Sequence, residues 1–133
     1  MLKIEHLGIA VKSLEQSMPL FEQLLNTPCY KTEQVDSEGV NTAFFQTGDS
    51  KIELLEATKE QSPIAKFIGK KGEGIHHIAF EVENIEAEMK RLAALGFELL
   101  NETPKKGADN KIVCFLHPKT TNGVLIELCQ EIK

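Results

Sequence analysis

The 133-residue chain reads as an α+β protein built from two βαβββ modules. Three observations predict this. An internal repeat lays HLGIAVKSLEQSMPLFEQLL, from His6, over HIAFEVENIEAEMKRLAALG, from His77, at one constant offset. It pairs His6 with His77, Val11 with Val82, Glu15 with Glu86, Met18 with Met89 and Leu24 with Leu95. Both copies also change from strand alternation to helical spacing directly after a polar capping residue. Finally, each helix is followed by three short runs of strand character separated by turn residues.

In the first strand Leu7, Ile9 and Val11 share one face, and His6, Gly8 and Ala10 share the other. Ser13 caps the helix that follows, with Gln16 completing a capping box, and Leu14, Met18, Phe21 and Leu25 form its apolar stripe. Pro19 removes a backbone donor inside that helix and predicts a kink or an early stop. Strands follow near 29–35, 40–47 and 51–56, with turns at Glu38-Gly39 and Gly48-Asp49. Ser62-Pro63 opens a short connecting helix with Ile64, Phe67 and Ile68 on one side, and Gly69 to Gly74 ends it.

The second copy places Ile78, Phe80 and Val82 on one strand face and His77 and Ala79 on the other. Asn84 caps its helix, Ile85, Met89, Leu92 and Leu95 make the stripe, and Gly96 supplies a left-handed stop. Strands are expected near 97–102, 111–117 and 124–130, divided by 107–110 and 121–123. The modules cover roughly 1–60 and 73–133, joined by the helical connector 62–72, within a single domain 1–133.

Composition narrows the partners. Fifteen basic and twenty acidic residues give a net charge of −5, so no global positive field is present to hold a nucleic acid. The longest apolar runs, such as Ile112 to Leu116, are strand-sized rather than bilayer-sized, so no membrane partner is expected. Lys3, Glu5 and His6 interrupt the opening where a signal peptide needs an apolar core. Cys29, Cys114 and Cys129 are odd in number and lack CxxC spacing, which fits a reducing, cytoplasmic location.

Four side chains carry the chemical signal. The last strand of each module has a carboxylate inside an aliphatic run: Glu53 in KIELLE and Glu127 in VLIELC. Ile52 and Leu54, or Ile126 and Leu128, belong to the helix-packed face, so the glutamates point with His6 and His77. A carboxylate on a substantially buried strand face needs compensation, and a divalent cation shared by two imidazoles and two carboxylates supplies it. Any one of these residues alone reads as an ordinary strand residue. Their recurrence in both modules, with the glutamates separated by nearly the same offset as the histidines, makes the set a candidate metal centre.

Other polar residues carry less. His76 faces away from His77 and reads as a packing or hydrogen-bonding residue, and His117 before Pro118 fits a turn role or a ligand contact. Asn41 and Thr42 are candidate cavity residues. Lys66, Lys70 and Lys71, and Lys105, Lys106 and Lys119, read as solvated faces unless the ligand carries phosphates.

The segments IEHLGIAV, SPIAKF, GIHHIAFEVENI and FLHPKTTNGVLIEL together resemble the vicinal oxygen chelate superfamily, over almost the whole chain from His6 to Gln130. Within it they are similar to epimerases of malonyl-type acyl-CoA thioesters. The resemblance implies the glyoxalase/vicinal oxygen chelate fold, a cup-shaped mixed sheet around a metal site. It also implies the ligands His6, Glu53, His77 and Glu127, an acyl-CoA substrate and a homodimer. Some relatives have glutamine at the Glu53 position, and some have a glutamate, considered an acid/base group, where this chain has Thr42; threonine cannot take a proton from carbon. That departure leaves the identity of the second base open; Glu127 and Glu53, placed on opposite modules by the repeat, are the expected catalytic pair, each serving as ligand and base. The mixed donor set does not separate cobalt, manganese, nickel, zinc and magnesium. Three other activities share the scaffold: a glyoxalase I-type lyase, an iron dioxygenase needing only two histidines and one carboxylate, and a non-enzymatic small-molecule binding protein.

Overall fold

A computed structural model describes all residues from Met1 to Lys133. It contains two compact units, His6–His76 and His77–Lys133, the latter joined by Met1–Glu5. The first unit holds most of β1 (Lys3–Ala10), α1 (Leu14–Leu25), β2 (Lys31–Val35), β3 (Val40–Thr47), β4 (Ser50–Ala57) and α2 (Pro63–Lys71). Its strand order is β2-β3-β4-β1, with β1 parallel to β4 and the other pairs antiparallel. The second holds most of β5 (Gly74–Glu81), then α3 (Ile85–Ala94), β6 (Lys105–Lys106), β7 (Lys111–Leu116) and β8 (Ile126–Glu131). Its order is β5-β8-β7-β6, again with one parallel pair, β5 and β8. The βαβββ duplication expected from the repeat is present in strand order and in strand sense.

Local chemistry accounts for the elements. Ser13, in an extended conformation, accepts the Gln16 N–H at 3.3 Å and starts α1. Pro19 lies inside α1 without shortening it; the helix runs to Leu25, where Asn26 takes a left-handed conformation at φ 52°. The missing Pro19 N–H forfeits one bond in the middle of a helix held by packing of Leu14, Met18, Phe21 and Leu25 on Ala43, Phe45 and Leu54. Ser62 Oγ accepts the Ile64 N–H at 3.1 Å, with Pro63 at the first helical position of α2. Asn84 Oδ1 accepts the Ala87 N–H at 3.1 Å and starts α3, and Gly96 supplies the expected positive φ at 98°.

Two expectations fail in the second unit. The strand expected near 97–102 does not form; the segment makes an isolated bridge between Leu99 and Leu116, and the third strand is the two-residue β6 instead. Asn101 is the cause. Its Oδ1 accepts the Phe115 N–H at 3.1 Å and its Nδ2 reaches the Val113 carbonyl at 3.3 Å, so a side chain occupies ladder positions that backbone would need. Leu95, assigned to the α3 stripe, is 65% exposed, because the helix ends one residue before it; Ile85, Met89 and Leu92 alone carry the buried face.

The helix-packed faces are those the alternation predicts. Ile9, Val11, Ile52 and Leu54 lie under α1, and Val82, Ile126 and Leu128 lie under α3. The opposite face of the first unit is partly covered too. Ile64, with Phe67 and Ile68 of α2, packs on Ala10, Val40 and Leu55. The remainder of that face carries the histidine and glutamate.

Candidate metal centre

Register explains how each unit brings an imidazole to a carboxylate. On β4, Glu53 lies directly across from Gly8 of β1, and His6 is two residues earlier on the same face. On β8, Glu127 lies across from Ala79 of β5, with His77 two residues earlier. A residue with little or no side chain opposite each glutamate leaves room for the carboxylate to lean along the sheet toward the histidine. The resulting distances nearly coincide: His6 Nδ1 to Glu53 Oε2 is 3.1 Å, and His77 Nε2 to Glu127 Oε1 is 3.0 Å.

All four residues are at most 6% exposed. Buried ionisable groups persist only when paired or coordinated, so each unit has placed a costly pair at the same point of its sheet. The two pairs differ in one detail: His6 presents Nδ1 to its glutamate and His77 presents Nε2. Phe115 stands edge-on to the His77 ring, with centroids 5.8 Å apart, and shields that imidazole on one side. An imidazole nitrogen beside a carboxylate oxygen is a donor combination that divalent first-row metals accept.

The secondary candidates resolve into ordinary roles. His76 packs edge-on against Phe67 at 5.0 Å, as a packing residue should. His117 Nδ1 accepts the Lys119 N–H at 3.0 Å and caps the 3-10 turn Pro118–Thr120, so it has the turn role. Lys119 is bound to Glu98 at 2.7 Å. Thr42, directly across from Leu55, is 1% exposed and its Oγ1 has no hydrogen-bond partner. Sequence reasoning missed Glu5 and Lys111, which are 2% and 4% exposed. Lys111 lies 3.7 Å from Asp109 and 4.0 Å from Glu131, and no sequence pattern distinguished it from its solvated neighbours. All three cysteines are free, as their spacing suggested, and burial pushes the Cys114 thiol above its usual pKa.

Two duplicated four-stranded modules, each carrying a buried histidine–glutamate pair, define a class of protein, and the comparisons with known proteins agree. Residues 5–115 match the model of the Glyoxalase/Bleomycin resistance protein/Dioxygenase superfamily, and the chain belongs to that superfamily. Its relatives there include methylmalonyl-CoA epimerases. It is 41% identical over 130 residues to the ethylmalonyl-CoA/methylmalonyl-CoA epimerase of Cereibacter sphaeroides, covering 96% of this chain and 97% of that one. It is 40% identical over 127 residues to the mitochondrial methylmalonyl-CoA epimerase of Dictyostelium discoideum, covering 95% and 76%. A Streptomyces coelicolor methylmalonyl-CoA epimerase in complex with 2-nitronate-propionyl-CoA superposes with a TM-score of 0.94 at 32% identity, over 100% of this chain and 99% of that one. The fold is therefore the glyoxalase fold implied by the sequence.

Proposed function

We propose that the chain is a methylmalonyl-CoA epimerase, interconverting the (R) and (S) thioesters by removing and returning the α-proton. The observation that carries this reading is the repetition of one buried imidazole–carboxylate pair, at 3.1 and 3.0 Å, in two equivalent modules of a chain so similar to epimerases. The α-carbon of such a substrate lies between a carboxylate and a thioester carbonyl. Inverting it requires a proton acceptor on one face and a donor on the other.

In this reading His6, Glu53, His77 and Glu127 hold one divalent ion, a role their mixed donor set and burial support. The ion, when bound, supplies Lewis acidity that stabilises negative charge developing on the substrate oxygens. Glu53 and Glu127 exchange the proton. One carboxylate accepts it as the C–H electron pair moves into the thioester carbonyl, and the other, already protonated, delivers a proton to the opposite face. Each has a second oxygen, so metal binding and proton transfer need not compete for one atom. The apolar walls beside them, Phe44 and Phe115, exclude water that would otherwise reprotonate the enolate without facial control.

The same reading includes a homodimer and a cytoplasmic location, where three unpaired thiols persist. No helix is long and apolar enough to cross a membrane.

The test is proton exchange. Protein purified without chelator, incubated with (S)-methylmalonyl-CoA in D2O, is expected to incorporate deuterium at the α-carbon and generate the (R) epimer. Activity on the hemithioacetal of methylglyoxal in place of that exchange would identify a glyoxalase-type lyase. Loss of exchange in Glu127→Ala is expected; retention of it would remove Glu127 from the proton chemistry.

A further inference from the structure

The helix α2 is charged against the trend of the molecule. It carries Lys66, Lys70 and Lys71 and no acid, in a chain whose net charge is −5. By contrast α1 carries Glu15 and Glu22 and no base, and on α3 Arg91 is paired with Glu88 at 2.7 Å. None of the three lysines of α2 forms an ion pair. Glu73, the first acid beyond the helix, is engaged elsewhere: its Oε2 accepts the Lys12 N–H at 2.7 Å.

Two of these charges have local explanations. Lys70 and Lys71 stand in the last turn, where cations complement the helix dipole, and Lys71 Nζ lies 5.8 Å from the Phe67 ring centroid. Lys66 has no such explanation. It sits in the middle of the helix one turn before Lys70, and like charges at that spacing repel. Helical periodicity turns both away from the stripe of Ile64, Phe67 and Ile68, and both are exposed. A short helix held by one apolar stripe therefore keeps a repulsion that a single acid would relieve, which points to an anion supplied from outside the chain.

The position of α2 narrows the anion. Its stripe packs on Ala10, Val40 and Leu55. Leu55 is two residues beyond Glu53 on β4, and Ala10 is four beyond His6 on β1, all on one face of the first unit. Lys66 and Lys70 are thus separated from that face by the width of one helix, about 10 Å. The extended pantetheine arm of a coenzyme A thioester is longer than this and ends in a diphosphate and a 3′-phosphate.

We propose that the outer side of α2, through Lys66 and Lys70, binds the phosphates of coenzyme A. The inference rests on the acyl-CoA reading above and deepens it by placing the coenzyme end of the substrate on the first unit.

The experiment titrates coenzyme A itself by calorimetry into the wild type, the double variant Lys66→Gln/Lys70→Gln, the double variant Lys66→Arg/Lys70→Arg, and Lys90→Gln on α3 as a control for net charge. The glutamine pair is expected to weaken binding about tenfold, the arginine pair to retain it and Lys90→Gln to leave it unchanged. The thermal midpoint of the glutamine pair should not fall, since the repulsion is gone. The same pair should raise KM for methylmalonyl-CoA, and the defect should disappear with methylmalonyl-pantetheine, which lacks the phosphates. Dephospho-coenzyme A assigns the contact: a lysine effect lost with it belongs to the 3′-phosphate, and one retained belongs to the diphosphate. Wild-type affinity in the glutamine pair, an equal loss in Lys90→Gln, or an equal defect with methylmalonyl-pantetheine would overturn the proposal, as would a wild type that does not bind coenzyme A. A wild type that binds coenzyme A through these lysines yet epimerises nothing would refute the functional reading and leave the phosphate site standing.

Discussion

At the residue scale the clearest anomaly is Thr42. A buried hydroxyl without a partner costs about 1–3 kcal/mol, and valine fills nearly the same volume without that cost. Thr42→Val is expected to stabilise the fold by about 1 kcal/mol, read as a higher urea midpoint at unchanged slope. The thiols give a second prediction. Cys114 and Cys129 are fully buried, and burial raises the pKa of Cys114, whereas Cys29 is partly exposed. Native protein should therefore react with a thiol reagent at Cys29 alone, and denatured protein at all three positions; rapid labelling of Cys114 in the native state would contradict its burial. The histidine and glutamate positions were legible in sequence because strand alternation fixes a side chain's face and the repeat supplied a second copy. The ring nitrogen each histidine presents was not legible, since it depends on a side-chain torsion that alternation does not set.

At the scale of elements, the helices were easier to read than the strands. Ser13, Ser62 and Asn84 announce helix starts through a chemistry that is local in sequence, and each is an observed cap. Asn84→Ala is expected to cost about 1 kcal/mol, measured by chemical denaturation, because the Ala87 N–H loses its acceptor. Strand pairing depends on partners far along the chain. Nothing within 97–102 reveals that the Asn101 side chain will take the ladder positions on β7. The same segment contains an acid-sensitive joint. Glu98 has its pKa lowered chiefly by its hydrogen bond to Lys119. A carboxylate with a depressed folded-state pKa contributes stability above its unfolded pKa and loses it as pH falls through the folded value. Amide exchange at residues 97–100 and 118–121 should therefore quicken relative to the core as pH drops below the ordinary carboxylate range. The effect should be small, because the pair is exposed and screened.

At the scale of the molecule, metal removal tests the functional reading as a whole. Dialysis against a chelator is expected to abolish epimerisation and lower the thermal midpoint, since a ligand that binds only the folded state stabilises it by mass action. Adding back one divalent ion at a time should restore both and rank the metals, which the donor set leaves open. Unchanged activity after exhaustive chelation would refute a metal role for the four residues. The double-module architecture was legible as a repeat, yet the chain does not divide where the repeat suggests. Met1–Glu5 belong with the second unit, and Leu2 N–H donates to the Glu81 carbonyl at 2.8 Å. A contact between residues so distant in sequence leaves no local pattern.

The helix α2 makes the two halves unequal. It lies against Ala10, Val40 and Leu55 on the first sheet, whereas the matching cluster of the second, Ala79, Val113 and Cys129 with Phe115, includes no helical residue. The duplication therefore repeats the sheet without repeating its cover: one helix, drawn from the connector, closes off an apolar patch on the first module, and the second has no helix assigned that task.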